Sequence, residues 1–186
     1  MRLFVALAIS NGVREAIAAL IRELQPLDDS WKWVRAENLH VTLKFLGEIS
    51  LDKLEGIRVA LRGVGCPWPI AVNFAALGFF PDERRPRVLW VGMEASQSLP
   101  ALAAAIDDAL AKVGVPREER DFTPHLTLAR SKRGKLSPEL KQELARHSAG
   151  QFGGMSASAF RLVESRLKST GAEYTTLESF PGAPER

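Results

Sequence analysis

Hydrophobic positions along this chain fall into short blocks whose period switches between two and three-to-four residues. Residues 2–9 (RLFVALAI) are a continuous apolar run and predict a strand. Behind Ser10 or Asn11, either able to cap a helix, Val13, Ile17, Leu20, Ile21 and Leu24 recur at helical spacing. Pro26 and the polar segment that follows end that helix. Residues 39–46 predict the next strand, broken at Gly47. Ser50 is placed to cap a second helix, with Leu51, Leu54, Ile57 and Leu61 on its inner face. A strand near 70–79 follows the turn-rich stretch GVGCPWP.

The second half has the same order. A strand at 87–92 precedes a helix led by Ser98, with Leu99, Leu102, Ile106, Leu110 and Val113 inward. A strand at 125–130 follows. Ser137 and Pro138 then open a helix with proline at its favoured first position, and Leu140 and Leu144 face the core. Strands at 157–164 and 173–180 close the chain around a turn at Gly171. Arg2 and Arg87, His40 and His125, and Leu51 and Leu136 are each 85 residues apart. Residues 80–86 (FPDERRP) are the natural connection. The expected architecture is α+β: one domain over 1–186, with lobe-forming repeats at about 1–80 and 87–180. A pseudo-twofold axis would relate the lobes, each an antiparallel sheet with helices, around a central groove, and strands can be exchanged between them.

The bulk numbers leave this picture intact. A chain of 186 residues with 46% hydrophobic and 25% charged positions buries a core without staples. The single cysteine, Cys66, allows no internal disulfide and fits a reducing compartment. It is expected to be structural. The first residues have too short an apolar run, followed at once by polar SNGVRE, for a signal peptide, and no run approaches the ~20 apolar residues of a membrane span. A cytoplasmic protein with no membrane association is expected. A formal charge of +3 tolerates a phosphate-bearing partner without demanding one. The basic groups at Arg84, Arg85 and Arg87, and at Arg130, Lys132, Arg133 and Lys135, each read first as solvated loop.

The chemistry lies in two strand motifs, NLHVTLKFLG (Asn38 to Gly47) and PHLTLAR (Pro124 to Arg130). Alternate residues of a strand share a face, so His40 and Thr42 point one way, as do His125 and Thr127. One such motif alone is most simply a satisfied core histidine. Two at equivalent positions place two imidazoles and two hydroxyls in a shared cleft. Across a phosphorus centre, one neutral ring takes a proton from water and one imidazolium returns a proton to the leaving oxygen. The threonines can donate to non-bridging oxygens. No cofactor or metal is expected, since two histidines without carboxylates are a poor zinc site. His147, at a helix end, reads as structural or exposed.

The segments Trp33 to Ser50, Phe122 to Lys132, Arg85 to Gly92 and Arg2 to Ser10 resemble the two-histidine (2H) phosphoesterases. Within these they resemble the RNA 2′,3′-cyclic phosphodiesterases, also called 2′-5′ RNA ligases. The resemblance implies metal-independent hydrolysis of a terminal 2′,3′-cyclic phosphate on RNA to a 2′-phosphate. It implies His40 as proton donor to the 3′-oxygen, His125 as base for water, and Thr42 and Thr127 as phosphate ligands. Alternatives are 2′-5′ ligation, a small cyclic nucleotide as substrate, or a non-catalytic module that binds RNA ends. In the family, the positions of Phe45 and Arg130 look like nucleobase contacts. Their offset of five from the histidines puts them on the opposite face of a regular strand, so Phe45 is left open between core and ligand, while an arginine without a buried partner favours a functional Arg130. Trp33 and Trp90 are expected to pack in the core. One chain carries both motifs, so a monomer is expected.

Overall fold

The computed structural model describes residues 1–66, 68–169 and 171–181. Its described elements are β1 (Arg2–Ala8), α1 (Asn11–Leu24), β2 (Trp31–Trp33), β3 (His40–Glu48), α2 (Leu54–Arg62), β4 (Ile70–Phe80), β5 (Val88–Ala95), α3 (Ser98–Ala111), β6 (His125–Ser131), α4 (Pro138–Arg146), β7 (Gln151–Ala157), β8 (Ala159–Lys168) and β9 (Gly171–Pro181). They form two antiparallel sheets, ordered β3-β1-β8-β9 and β2-β6-β5-β4-β7. The α+β class is the one expected. Each sheet draws on both halves of the chain, because β8 pairs with β1 and β4 pairs with β5.

The helices follow from their apolar stripes. Ser10 accepts the Val13 amide at the start of α1, which buries Val13, Ile17, Leu20, Ile21 and Leu24, largely toward β7. The stripe of α3 (Leu99, Leu102, Ile106 and Leu110) is buried and faces β3 and α2. Leu3, Val5 and Leu7 of β1 and Val41 and Leu43 of β3 join the same core, as do Leu89 and Val91 of β5 and Leu126 and Leu128 of β6. That core leaves the opposite faces of the two motif strands free.

Several local expectations change. Ser50 precedes a short 3-10 turn, its side chain caps nothing, and α2 starts only at Leu54. Leu51 is 75% exposed and belongs to no inward stripe. Helix α3 ends at Ala111, so Val113 packs on the core from the following turn. Strands β2 and β7 are additions. The first is only three residues long, and the second carries Gly153 and Gly154, which weaken any strand signal. Gly154 is needed there: a Cβ on it would lie 2.4 Å from Oδ1 of Asn73 on β4. The repeat is also less exact than the motif spacing implies. The residue opposite His40 is Ala8 and that opposite His125 is Gly92, so Arg2 and Arg87 are not equivalent positions. No helix among the described residues is long and apolar enough to cross a membrane.

Candidate active site

Cross-strand pairing settles which side chains share a face. In the first sheet, Ala8, Ala6 and Phe4 pair with His40, Thr42 and Phe45. The three β1 residues are two positions apart, so they lie on one face, and their three partners lie on it too. In the second sheet, Gly92, Trp90 and Val88 pair with His125, Thr127 and Arg130. Phe45 and Arg130 therefore stand on the histidine faces. The cause is a β-bulge in each motif strand, which gives it one residue more than its partner between the threonine and position five. Two successive residues are consequently buried, Leu43 and Lys44 in β3, and Leu128 and Ala129 in β6. Phe45, at 56% exposure, is not a core residue.

The bulge places Lys44 on the buried side. Its Nζ lies 2.5 Å from Asp107 Oδ1 and 2.8 Å from the Pro116 carbonyl. This ties β3 to α3 and the chain after it. Although burial opposes ionisation of Asp107, hydrogen bonds from Lys44 and the Glu118 amide keep its carboxyl below the ordinary carboxylate value.

The two histidines are held alike. His40 Nδ1 donates to the Asn38 carbonyl at 2.7 Å and His125 Nδ1 to the Thr123 carbonyl at 2.7 Å. With the proton of each neutral ring on Nδ1, Nε2 carries the free lone pair. Burial is the main cause that lowers both histidines below the usual 6.5, offset in part by these carbonyls; Arg130 lowers both further, and His125 lowers His40. Both rings are thus neutral at pH 7, and a single positive charge, that of Arg130, acts on both. Neither threonine hydroxyl has a hydrogen-bond partner among the described residues.

Aromatic rings set the orientation of each imidazole. Phe4 lies 4.7 Å from the His40 ring, and Tyr174 of β9 meets it edge-on at 5.2 Å. Phe80 meets His125 edge-on at 4.9 Å and in turn packs on Trp90, 5.2 Å away. Trp90 is therefore a support of the histidine face, not a core residue as its apolar neighbours suggested. Its ring covers Gly78, where a Cβ would come within 2.2 Å. Trp33 does pack against the core. Phe4, Phe80 and Tyr174 were missed because their roles depend on strand pairing between distant segments, and Tyr174 lies in a stretch that resembles any exposed strand. Beside His40 is an open recess of about 110 Å³ lined by Phe4, Arg161, Tyr174 and Thr176 among others. This is below the ~300–1,000 Å³ of enclosing ligand pockets, so the recess is part of an open groove and not an enclosing cavity.

Other candidates stay outside. His147 is bonded to Glu23 at 3.2 Å at the end of α4. Glu23, Glu143 and His147 are the one grouping of metal-capable side chains among the described residues. The Cys66 thiol is pushed up by burial, the reverse of what a nucleophile needs.

The family model of the 2′-5′ RNA ligase superfamily matches residues 13–167. The chain belongs to this superfamily. Relatives in it include the RNA 2′,3′-cyclic phosphodiesterase of Archaeoglobus fulgidus, 37% identical over 97% of this chain and 99% of that one. The protein of the same name from Methanothermobacter thermautotrophicus is 33% identical over 97% and 98%. Among solved structures, TT0787 of Thermus thermophilus superposes with a TM-score of 0.82 at 31% identity, covering 97% of both chains. E. coli LigT in complex with 3′-AMP gives 0.79 at 26% identity over 97% of both. The superfamily fold thus extends over nearly the whole chain, both histidine motifs included.

Proposed function

We propose that this protein hydrolyses the terminal 2′,3′-cyclic phosphate of RNA to a 2′-phosphate by metal-independent acid–base chemistry. The observation that carries the reading is the matched pair of imidazoles. Each donates Nδ1–H to a backbone carbonyl two residues earlier and keeps Nε2 for proton transfer. Relatives that match along almost their full length and bear the name RNA 2′,3′-cyclic phosphodiesterase support the substrate class. So do the complexes of E. coli LigT with phosphate and 3′-AMP.

In this reading His125 Nε2 accepts a proton from water as the water oxygen bonds to phosphorus. His40, as imidazolium, gives its Nε2 proton to O3′ as the P–O3′ bond breaks. The Asn38 carbonyl that accepts from Nδ1 also steadies the charged ring of His40. Incoming phosphate supplies the negative charge that raises the histidines and loads that proton. Thr42 and Thr127 donate to the non-bridging oxygens, and Arg130 offsets the charge that builds on them. The exposed Phe45 ring stacks on the terminal base. One chain supplies every group, so a monomer in the cytoplasm is the working unit. With a 5′-hydroxyl in place of water, deprotonated at His125 as its oxygen bonds to phosphorus while His40 again protonates the departing O3′, the same groups join a cyclic phosphate to that hydroxyl as a 2′-5′ linkage.

The test is incubation of an oligoribonucleotide ending in 2′,3′-cyclic phosphate with the protein in a chelator. The expected product is a 2′-phosphate. His40→Ala and His125→Ala are each expected to lower kcat by at least ~10²-fold with the fold retained. A 3′-phosphate product overturns the acid–base assignment, and unchanged turnover by His125→Ala overturns the mechanism.

A further inference from the structure

Basic side chains beyond Arg130 take no part in this chemistry, yet the fold gathers them at one end of the groove. Lys32 of β2 is the cross-strand partner of Arg130. On the other flank Val88 pairs with Arg130, so Arg87 stands immediately beyond it. The Arg87 carbonyl accepts the Ser131 amide at 2.9 Å, and its own amide donates to Phe80 at 2.8 Å. This lays the β4–β5 loop, with Arg84 and Arg85, beside the segment that leaves β6. Lys132 in that segment is anchored by its amide to the Ser30 carbonyl at 3.1 Å, and Arg133 follows.

These cations are uncommitted. Arg58 and Arg62 on α2 pair with Glu178, and Arg117 pairs with Asp107 and Asp108. By contrast, the side chains of Lys32, Arg84, Arg85, Arg87, Lys132 and Arg133 make no hydrogen bond or ion pair among the described residues, and none of the six is buried. The nearby carboxylates are occupied. Asp82 accepts the amides of Arg84 and Arg85, Glu83 faces Lys141 at 3.5 Å, and Asp28 holds Ser30 and Ser137. Six cations outnumber the carboxylates beside them, Asp28, Asp82 and Glu83, and this excess of positive charge beside Arg130 is an arrangement that fits a polyanion.

We infer that this arc docks the sugar–phosphate chain of single-stranded RNA upstream of the terminal nucleotide. The inference rests on the function proposed above and extends it: the enzyme distinguishes an RNA end from a free cyclic nucleotide by electrostatic contacts outside the reacting centre. Such contacts are independent of sequence and weaken with salt.

The test compares the wild type with the quadruple variant Arg84→Gln, Arg85→Gln, Lys132→Gln and Arg133→Gln. Among the described residues, every hydrogen bond these four make uses the backbone amide, so the loops keep their bonding. Two substrates are used, a decaribonucleotide ending in 2′,3′-cyclic phosphate and adenosine 2′,3′-cyclic phosphate. The variant is expected to lose about tenfold or more in kcat/KM on the oligonucleotide at ~0.1 M salt, with a shallower salt dependence. Turnover of the mononucleotide is expected to be unchanged. Equal loss on both substrates, or none on the oligonucleotide, overturns the inference. If the wild type opens neither substrate, the catalytic reading falls separately. Fluorescence anisotropy with the same oligonucleotide then decides the arc, equal affinity of wild type and variant being the overturning result.

Discussion

A histidine on a sheet face takes its chemistry from what holds each ring nitrogen. In both motif strands a carbonyl two residues upstream accepts from Nδ1, and burial keeps the ring neutral. In the proposed mechanism the singly protonated pair is the reactive form, and burial holds both groups below the ordinary value of 6.5. The maximum of kcat/KM against pH is therefore expected on the acid side of 6.5, measured on the cyclic mononucleotide. Arg130 holds both rings down electrostatically, so Arg130→Gln removes a charge that disfavours imidazolium. Both limbs of the profile should then move to higher pH, while kcat/KM falls because the charge proposed to offset that of the phosphate is lost. A variant with lower activity and an unmoved profile would place the Arg130 charge away from the rings. The His-x-Thr residues were legible in the sequence because alternation along a strand is a local rule. The side on which Phe45 and Arg130 stand was not, because the extra residue of a bulge is visible only against a paired strand.

At the scale of elements, the bulge needs an anchor, and Lys44 supplies it. Its ammonium, with a side chain 3% exposed, is balanced by Asp107, which is 19% exposed. Removal of the carboxylate leaves a buried cation with only a carbonyl partner, whereas removal of the amine leaves Asp107 with Arg117 and some solvent. Asp107→Ala is expected to cost about 2–4 kcal/mol, below the full value for a buried pair because Asp107 is partly solvated, and Lys44→Met less. Urea unfolding of both variants checks the order; a larger loss for Lys44→Met would contradict it. The helices and seven strands were readable from periodicity, since each carries its own apolar stripe or run. Strands β2 and β7 were not, one for its length and the other for its glycines, and both are held by long-range pairing.

For the whole molecule, the consequence of strand pairing is that neither half is self-sufficient. Residues 1–83 carry β1 without β8, and β4 without β5 or β7. Each fragment would expose strand edges and the apolar faces that the other half covers. Residues 1–83 and 84–186, expressed separately, are each expected to lack a cooperative thermal transition, and their mixture to regain one. A sharp transition in either fragment alone would show that a half folds by itself. The same interleaving brings β3 and β6, the strands that carry the two histidines, into contact where the sheets meet.

The sequence by itself determined the helices, seven of the nine described strands, the α+β class and the polar face of each motif strand. Those depend on spacing along one segment, and the physics of a helix stripe or an alternating strand is local. Tertiary structure decided the rest. Pairing across the sheets put Phe45 and Arg130 beside the histidines, turned Trp90 from a core residue into a support of the site, and added Phe4, Phe80 and Tyr174. It also collected scattered loop cations at the end of one groove. Each of these depends on which distant backbone satisfies a strand's hydrogen bonds, and that choice is made by the folded chain as a whole.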